Sequence, residues 1–148
     1  VMDAAERYKQ SWMGWQYKPF NPYANNGWSL INIDGSVNQY VAKSLARTYV
    51  TTVAGQLQSS IFDTETSEFT LNYVIKPSTL PCNTKTVVYL HQKYYYSNGF
   101  NVQVQPANIV TWKQVDEHYI HFEHDSIKVP ASGQIVTIKI DKNKSFLK

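Results

Sequence analysis

Apolar and polar residues follow two different periods along this chain. Residues 1–54 read as helix, strand, loop and helix, and residues 55–148 read as strands and turns. DAAERYKQ is built of helix formers, with Asp3 near the start, where a carboxylate meets the positive end of the helix dipole. SWMGWQY, residues 11–17, is apolar at odd and even positions alike. That pattern predicts a strand buried on both faces, such as a parallel strand covered by helices. The Asn- and Pro-rich KPFNPYANNG predicts a loop. In SVNQYVAKSLARTYV, residues Val37, Tyr40, Val41, Ser44 and Leu45 share one stripe at helical spacing, with Asp34 or Ser36 as N-cap. This is one and a half units of a β/α repeat, too little to form a domain alone.

From Gly55 the period changes to two. EFTLNYVI alternates Phe69, Leu71, Tyr73 and Ile75 with a more polar set, as a strand half buried on one side does. FNVQVQ, HYIHFEH and QIVTIKI repeat the pattern, with Phe100/Val102/Val104, Ile120/Phe122 and Val136/Ile138/Ile140 as inner faces. Turn signals at DTETSE, KPSTLPCN, YSNG and PASG separate these runs at the intervals of an antiparallel sandwich. The expected fold class is therefore mainly β, a β-sandwich over residues 55–148 ending in the polar tail DKNKSFLK.

Composition narrows the function classes. A chain of 148 residues suffices for one domain plus an appendage. Charged residues make up only 17% and aromatics 14%, weighted toward 11 tyrosines, which suits a β-rich protein. The formal charge of +3 is small and the lysines are dispersed, so nucleic acid is set aside as a partner. No apolar run approaches the length of a membrane span, and VMDAAERYKQ lacks the pattern of a signal peptide. The single cysteine, Cys82, reads as a loop residue and leaves the redox compartment undecided. Asn143-Lys144-Ser145 is a glycosylation sequon, pointing to a secreted or lysosomal setting if the residue is accessible there.

Two stretches carry a resemblance: AR-x-Y-x-x-x-VAG at residues 46–55 and FD-x-x-T-x-EF-x-L-x-Y at residues 62–73. With SWMGWQYK upstream, they resemble the C-terminal third of the endoglycoceramidases of glycoside hydrolase family 5. Those enzymes join a (β/α)8 barrel to a C-terminal β-sandwich and cleave the bond between the oligosaccharide and the ceramide of glycosphingolipids. The resemblance implies that residues 1–54 are the final β/α unit of the barrel, completed by an upstream segment or companion chain of the same precursor. It also implies that Trp15, at the end of the last barrel strand, forms a platform under the sugar next to the scissile bond. An indole face packs on the apolar face of a pyranose while its N–H remains a donor. Tyr17 and Lys18 follow on the turn, placed to approach sugar hydroxyls, and Trp28 would wall the cleft beside Asn25 and Asn26. The competing reading of Trp12, Trp15 and Trp28 is ordinary packing.

Retaining hydrolysis needs two carboxyl groups about 5 Å apart. In the family these glutamates end the fourth and seventh strands, which would precede Val1. Glu6, Glu65, Glu68, Glu117 and Glu123 lack that context, so no catalytic residue is assigned and the chain alone is expected to be inactive. No cofactor is expected. His118, His121 and His124 suggest a metal cluster, but along a strand their odd spacing sends His121 to the face opposite the other two, so no metal site is assigned. KYYYSNGF reads either as an aromatic rim able to settle on a membrane surface or as core filling. Two function classes remain: part of a glycolipid-cleaving hydrolase, or a non-catalytic carbohydrate-binding, lipid-binding or structural derivative of that fold.

Overall fold

The computed structural model describes residues 2–14, 16–20, 28–77 and 85–143. They divide into two units, residues 1–47 and residues 48–148.

In the first unit, helix α1 (Met2–Tyr8) forms as DAAERYKQ predicts, with Ala5 buried. It closes where Lys9 takes a left-handed φ of 53° and Gln10 N–H donates to the Ala5 carbonyl at 2.8 Å. Helix α2 (Gln39–Leu45) is shorter than the apolar stripe suggested. Its N-cap is Asn38, whose side chain accepts from Val41 N–H at 3.3 Å. Asp34 is spent earlier, accepting from the Ser36 N–H and hydroxyl at 2.9 and 2.7 Å in the tight turn before the helix. These bonds to Ser36 hold the exposed Asp34 carboxyl below its ordinary range. Of the predicted stripe only Val41 is fully buried, while Val37 and Tyr40 are exposed.

One buried cation organises this unit. The Arg47 guanidinium grips Glu6 with Nε–Oε1 at 2.6 Å and Nη2–Oε2 at 3.0 Å, and its Nη2 also reaches Asp3 Oδ1 at 2.7 Å. Burial alone would lower the Arg47 pKa, but the bonds and charges of Glu6 and Asp3 outweigh it and hold the group above its ordinary value. Asp3 and Glu6 lie three residues apart on one face of α1, so one planar fork can meet both.

The second unit is a β-sandwich beginning at Thr48, ahead of the Gly55 expected from sequence. The helical stretch SVNQYVAKSLARTYV ran on to Val50, yet β1 (Tyr49–Thr52) is a strand of the sandwich. β2 (Gln56–Phe62), β3 (Phe69–Ile75) and β4 (Thr86–Tyr89) follow, then the short helix α3 (Gln92–Tyr95). β5 (Phe100–Gln105), β6 (Val110–Gln114), β7 (Tyr119–His124) and β8 (Gln134–Lys142) complete it. One sheet has the order β1-β4-β7-β6 and the other β2-β3-β8-β5, and every strand pairing is antiparallel.

The alternation of β3 sets the core: Phe69, Leu71, Tyr73 and Ile75 are wholly buried. β8 matches it in register, Phe69 opposite Ile140, Leu71 opposite Ile138 and Tyr73 opposite Val136. From the other sheet Thr86, Val88, Ile120 and Phe122 are also buried. The predicted inner faces of β3, β7 and β8 are therefore the observed ones, whereas Phe100, Val102 and Val104 of the edge strand β5 are only half buried.

Several polar groups inside this core are bonded to one another. The Tyr73 hydroxyl reaches from β3 to His124 Nε2 on β7 of the opposite sheet, 2.6 Å away. It also bonds the Thr86 side chain, whose Oγ1 accepts from Ala54 N–H at 3.0 Å. Burial raises the Tyr73 pKa far above the ordinary phenol value, so the hydroxyl stays protonated. A second buried bond joins the Thr48 and Tyr96 hydroxyls at 2.9 Å. Gly55 has a φ of 156° and packs so close to the Val74 carbonyl that a β-carbon would collide with it.

Two outcomes follow from these contacts. Tyr73→Phe removes the bond between the sheets and leaves buried partners unsatisfied, so urea unfolding should show a loss of about 1–3 kcal/mol with an unchanged m-value. Arg47→Ala should speed amide exchange across residues 2–10 and cost about 1–3 kcal/mol, less than a fully buried pair because Asp3 is exposed. Arg47→Lys should not restore protection, since an ammonium cannot make the two-pronged contact with Glu6.

Candidate functional site

The predicted site residues all belong to the first unit except Asn143. Trp15 lies outside the described residues. Its neighbours do not form the strand expected of SWMGWQY: residues 11–14, 16 and 17 belong to no sheet, and Trp12, Met13 and Tyr17 are exposed. The expectation assumed burial on both faces, which requires a strand on either side. Here Gln16 and Tyr17 instead accept single hydrogen bonds from Leu30 and Ile31 N–H, at 3.2 and 2.8 Å. That tie continues into a bridge between Ile31 and Val37 and a bond from Asn38 N–H to the Leu30 carbonyl at 2.8 Å. The route from SWMGWQYK to the cap of α2 is thus a chain of backbone contacts.

Lys18 follows the tie on a bend and is exposed. Trp28 precedes it on the other segment and is 67% exposed. The backbone therefore draws the segments bearing Lys18 and Trp28 together. Met13 is 98% and Phe20 86% exposed, so the region presents a broad apolar and aromatic surface. The Trp12 ring lies over Gly14, with Cζ3 3.5 Å from where a β-carbon would stand. This arrangement suits a ligand with apolar faces and scattered hydroxyls.

The other candidates are placed individually. Asn143 is half buried, and its Nδ2 donates to the Asn98 carbonyl at 3.0 Å beside Gly99, whose φ is 84°. It is this left-handed φ that favours glycine at residue 99, since the nearby Asn143 amide ends a flexible side chain that could move aside. Of the three histidines, His124 turns to Tyr73 in the core, His118 Nδ1 lies 3.2 Å from the Leu90 carbonyl, and His121 stands opposite Val87 on the sheet's outer side. Among the described residues no group of three or more His, Cys, Asp or Glu is placed to hold a metal ion. Cys82, Asn25 and Asn26 lie outside the described residues.

KYYYSNGF does not make the aromatic rim. Tyr95 and Tyr96 are buried, Tyr95 edge-on to Phe62 with ring centroids 4.8 Å apart. The helical turn of α3 and its cap turn them inward, which is the core-filling reading of this stretch. Glu6 is engaged by Arg47, and the half-buried Glu123 is bonded by Lys85 and Lys113, which hold its carboxyl below the ordinary range. Sequence reading also passed over Arg47 as an organiser, although Asp3 and Glu6 on one helical face were a legible sign that a cation was needed.

Known proteins supply an independent measure. The model of the glycoside hydrolase family 5 C-terminal domain matches residues 47–144. An endoglycoceramidase of Cyanea nozakii is 36% identical over 125 residues, covering 81% of this chain and 24% of that protein. One from Hydra vulgaris is 32% identical over 142 residues, covering 95% of this chain and 26% of that protein. The chain thus spans about a quarter of the length of these relatives. Among solved structures, sterylglucosidase 1 of Cryptococcus neoformans superposes with a TM-score of 0.72 at 15% identity, over 96% of this chain and 23% of that one. The match begins at Arg47, one residue before the sandwich begins, and the chain belongs to the glycoside hydrolase family 5 C-terminal domain family.

Proposed function

We propose that this chain is the C-terminal part of a retaining endo-glycosidase acting on glycosphingolipids. Trp15 stacks under the sugar beside the scissile bond, and Lys18 and Trp28 border the same subsite. The catalytic glutamate pair comes from an upstream barrel segment or companion chain of the same precursor. The reading is carried chiefly by the alignment with two endoglycoceramidases, which extends across both units of the chain. The exposed apolar surface of Met13, Tyr17, Phe20 and Trp28 supports it, because an isolated unit gains nothing by keeping such a surface in water. Docking against the rest of a barrel would cover part of it and leave the aromatic end facing the substrate cleft.

In this scheme the sandwich is a support and the first unit completes the sugar site. Two carboxyl groups suffice for the hydrolysis, without metal or cofactor. The lipid half of the substrate places the enzyme at a membrane surface. The sequon at Asn143 supports passage through a secretory route to a secreted or lysosomal destination.

The test uses the full-length enzyme and a fluorescent glycosphingolipid. Trp15→Ala should lower kcat/KM by about tenfold or more while leaving the thermal midpoint near that of the parent, and Trp15→Phe should recover part of the loss. The 148-residue chain by itself should release no product. Unchanged turnover in Trp15→Ala would remove the platform role. Loss of folding with unaltered kinetics in the surviving protein would return Trp15 to packing.

A further inference from the structure

The outer face of the β1-β4-β7-β6 sheet carries a feature that the core does not require. Register sets Tyr49 opposite Tyr89, and Tyr89 opposite Tyr119, forming one row across three strands. Val88 and Ile120, the next residues along β4 and β7, are wholly buried, so the tyrosines stand on the opposite, outer side. Ring centroids are 5.0 Å apart for Tyr49 and Tyr89 and 5.6 Å for Tyr89 and Tyr119. The row continues through His118, 5.7 Å from Tyr89, to His91, 5.1 Å from His118, and to Tyr94, 4.5 Å from His91. Tyr49 is 44% and Tyr119 36% exposed, with Tyr89 half buried between them.

Several features hold this row in place and favour the neutral forms of Tyr49, Tyr89 and His91. The Asp116 carboxylate accepts from His118 N–H at 2.7 Å and Tyr119 N–H at 2.8 Å, fixing the turn that leads into β7. Burial raises the pKa of Tyr49 and Tyr89, and the neighbouring phenols add to the effect, so these hydroxyls remain donors as well as acceptors. Burial, then His118, lowers the His91 pKa, while Glu117 and Lys93 pull it in opposite directions. Farther along the same face, Lys85 and Lys113 are both bonded to Glu123.

A row of fixed rings, each with a polar edge and little net charge nearby, matches one ligand chemistry better than others. An anionic ligand would need unpaired cations, and an aliphatic protein surface would strand the phenol and imidazole groups. A pyranose chain offers apolar C–H faces to the rings and hydroxyls to their polar edges. We infer that the Tyr49–Tyr89–Tyr119 row, extended by His118 and His91, is a binding surface for a neutral oligosaccharide. The inference does not rest on the role given to Trp15.

Calorimetric titration of the 148-residue chain with lactose and cellohexaose, with saturation-transfer NMR on the same samples, tests it. At least one sugar should bind, and the affinity should hold when salt is raised to about 0.5 M, where surface charge interactions are screened. Tyr49→Ala and Tyr119→Ala should each weaken binding by about tenfold, and the Phe variants by less, since they keep the ring and lose the hydroxyl. Ile135→Ala, at an exposed position on the other sheet, should change nothing. Binding of neither sugar would overturn the inference, as would preference for a sulfated oligosaccharide that vanishes with salt. So would a dimer that Tyr49→Ala dissociates, since the face would then belong to a second copy.

Discussion

The fold turns on a hydroxyl group placed where a methyl would seem safer. Tyr73 sits in the middle of β3, wholly buried, and spans the sandwich to meet His124 on the other sheet. Apolar packing alone would permit the sheets to slide, because the hydrophobic effect is non-directional. A short bond at one defined point removes that freedom. Thr86 shares the Tyr73 hydroxyl and takes the Ala54 amide, so the same cluster also fixes where the chain leaves β1 for β2. Failure at this point would leave several buried polar groups unpaired together, which makes the arrangement costly to violate and so specific.

The two units solve different problems. The sandwich buries its own surface: β3 and β8 fill one side of the core and β4 and β7 the other. Among its described residues the first unit buries few apolar side chains beyond Ala5 and Val41, and its order comes from directional contacts. Arg47 clamps α1 through two carboxylates, Asn38 caps α2, and backbone bonds join the intervening segments. A segment held by polar clamps can keep aromatic side chains outward, where a segment held by hydrophobic collapse would have folded them in.

This contrast also explains what the sequence disclosed. β3, β7 and β8 were legible because a central strand with one buried face writes its alternation directly, as Phe69-Leu71-Tyr73-Ile75 does. β1 and β6 are edge strands, and their burial follows no clean period, so YVTT and VTWKQ carried no comparable signal. α2 was overextended because Val37 matched the helical stripe, although it precedes the Asn38 cap and is exposed. Trp12, Met13 and Tyr17 of SWMGWQY are exposed for a related reason: apolar content reports that a surface will be covered, not that the same stretch of chain covers it. The family motifs were more informative than periodicity at this boundary, since AR-x-Y contains both the clamp residue Arg47 and the strand residue Tyr49.

The aromatic row on the sandwich shows a limit of a different kind. Tyr49, Tyr89 and Tyr119 stand far apart in sequence, and each is unremarkable within its own strand. They become neighbours only through the registers of β1 with β4 and of β4 with β7. A slip of one residue in either pairing would turn a tyrosine toward the core and a valine or isoleucine toward solvent. Core packing at Val88 and Ile120 thus specifies, as a by-product, which rings line up outside. A binding surface arranged this way has its geometry determined by the same burial that stabilises the domain, so it needs no loop of its own to preorganise it.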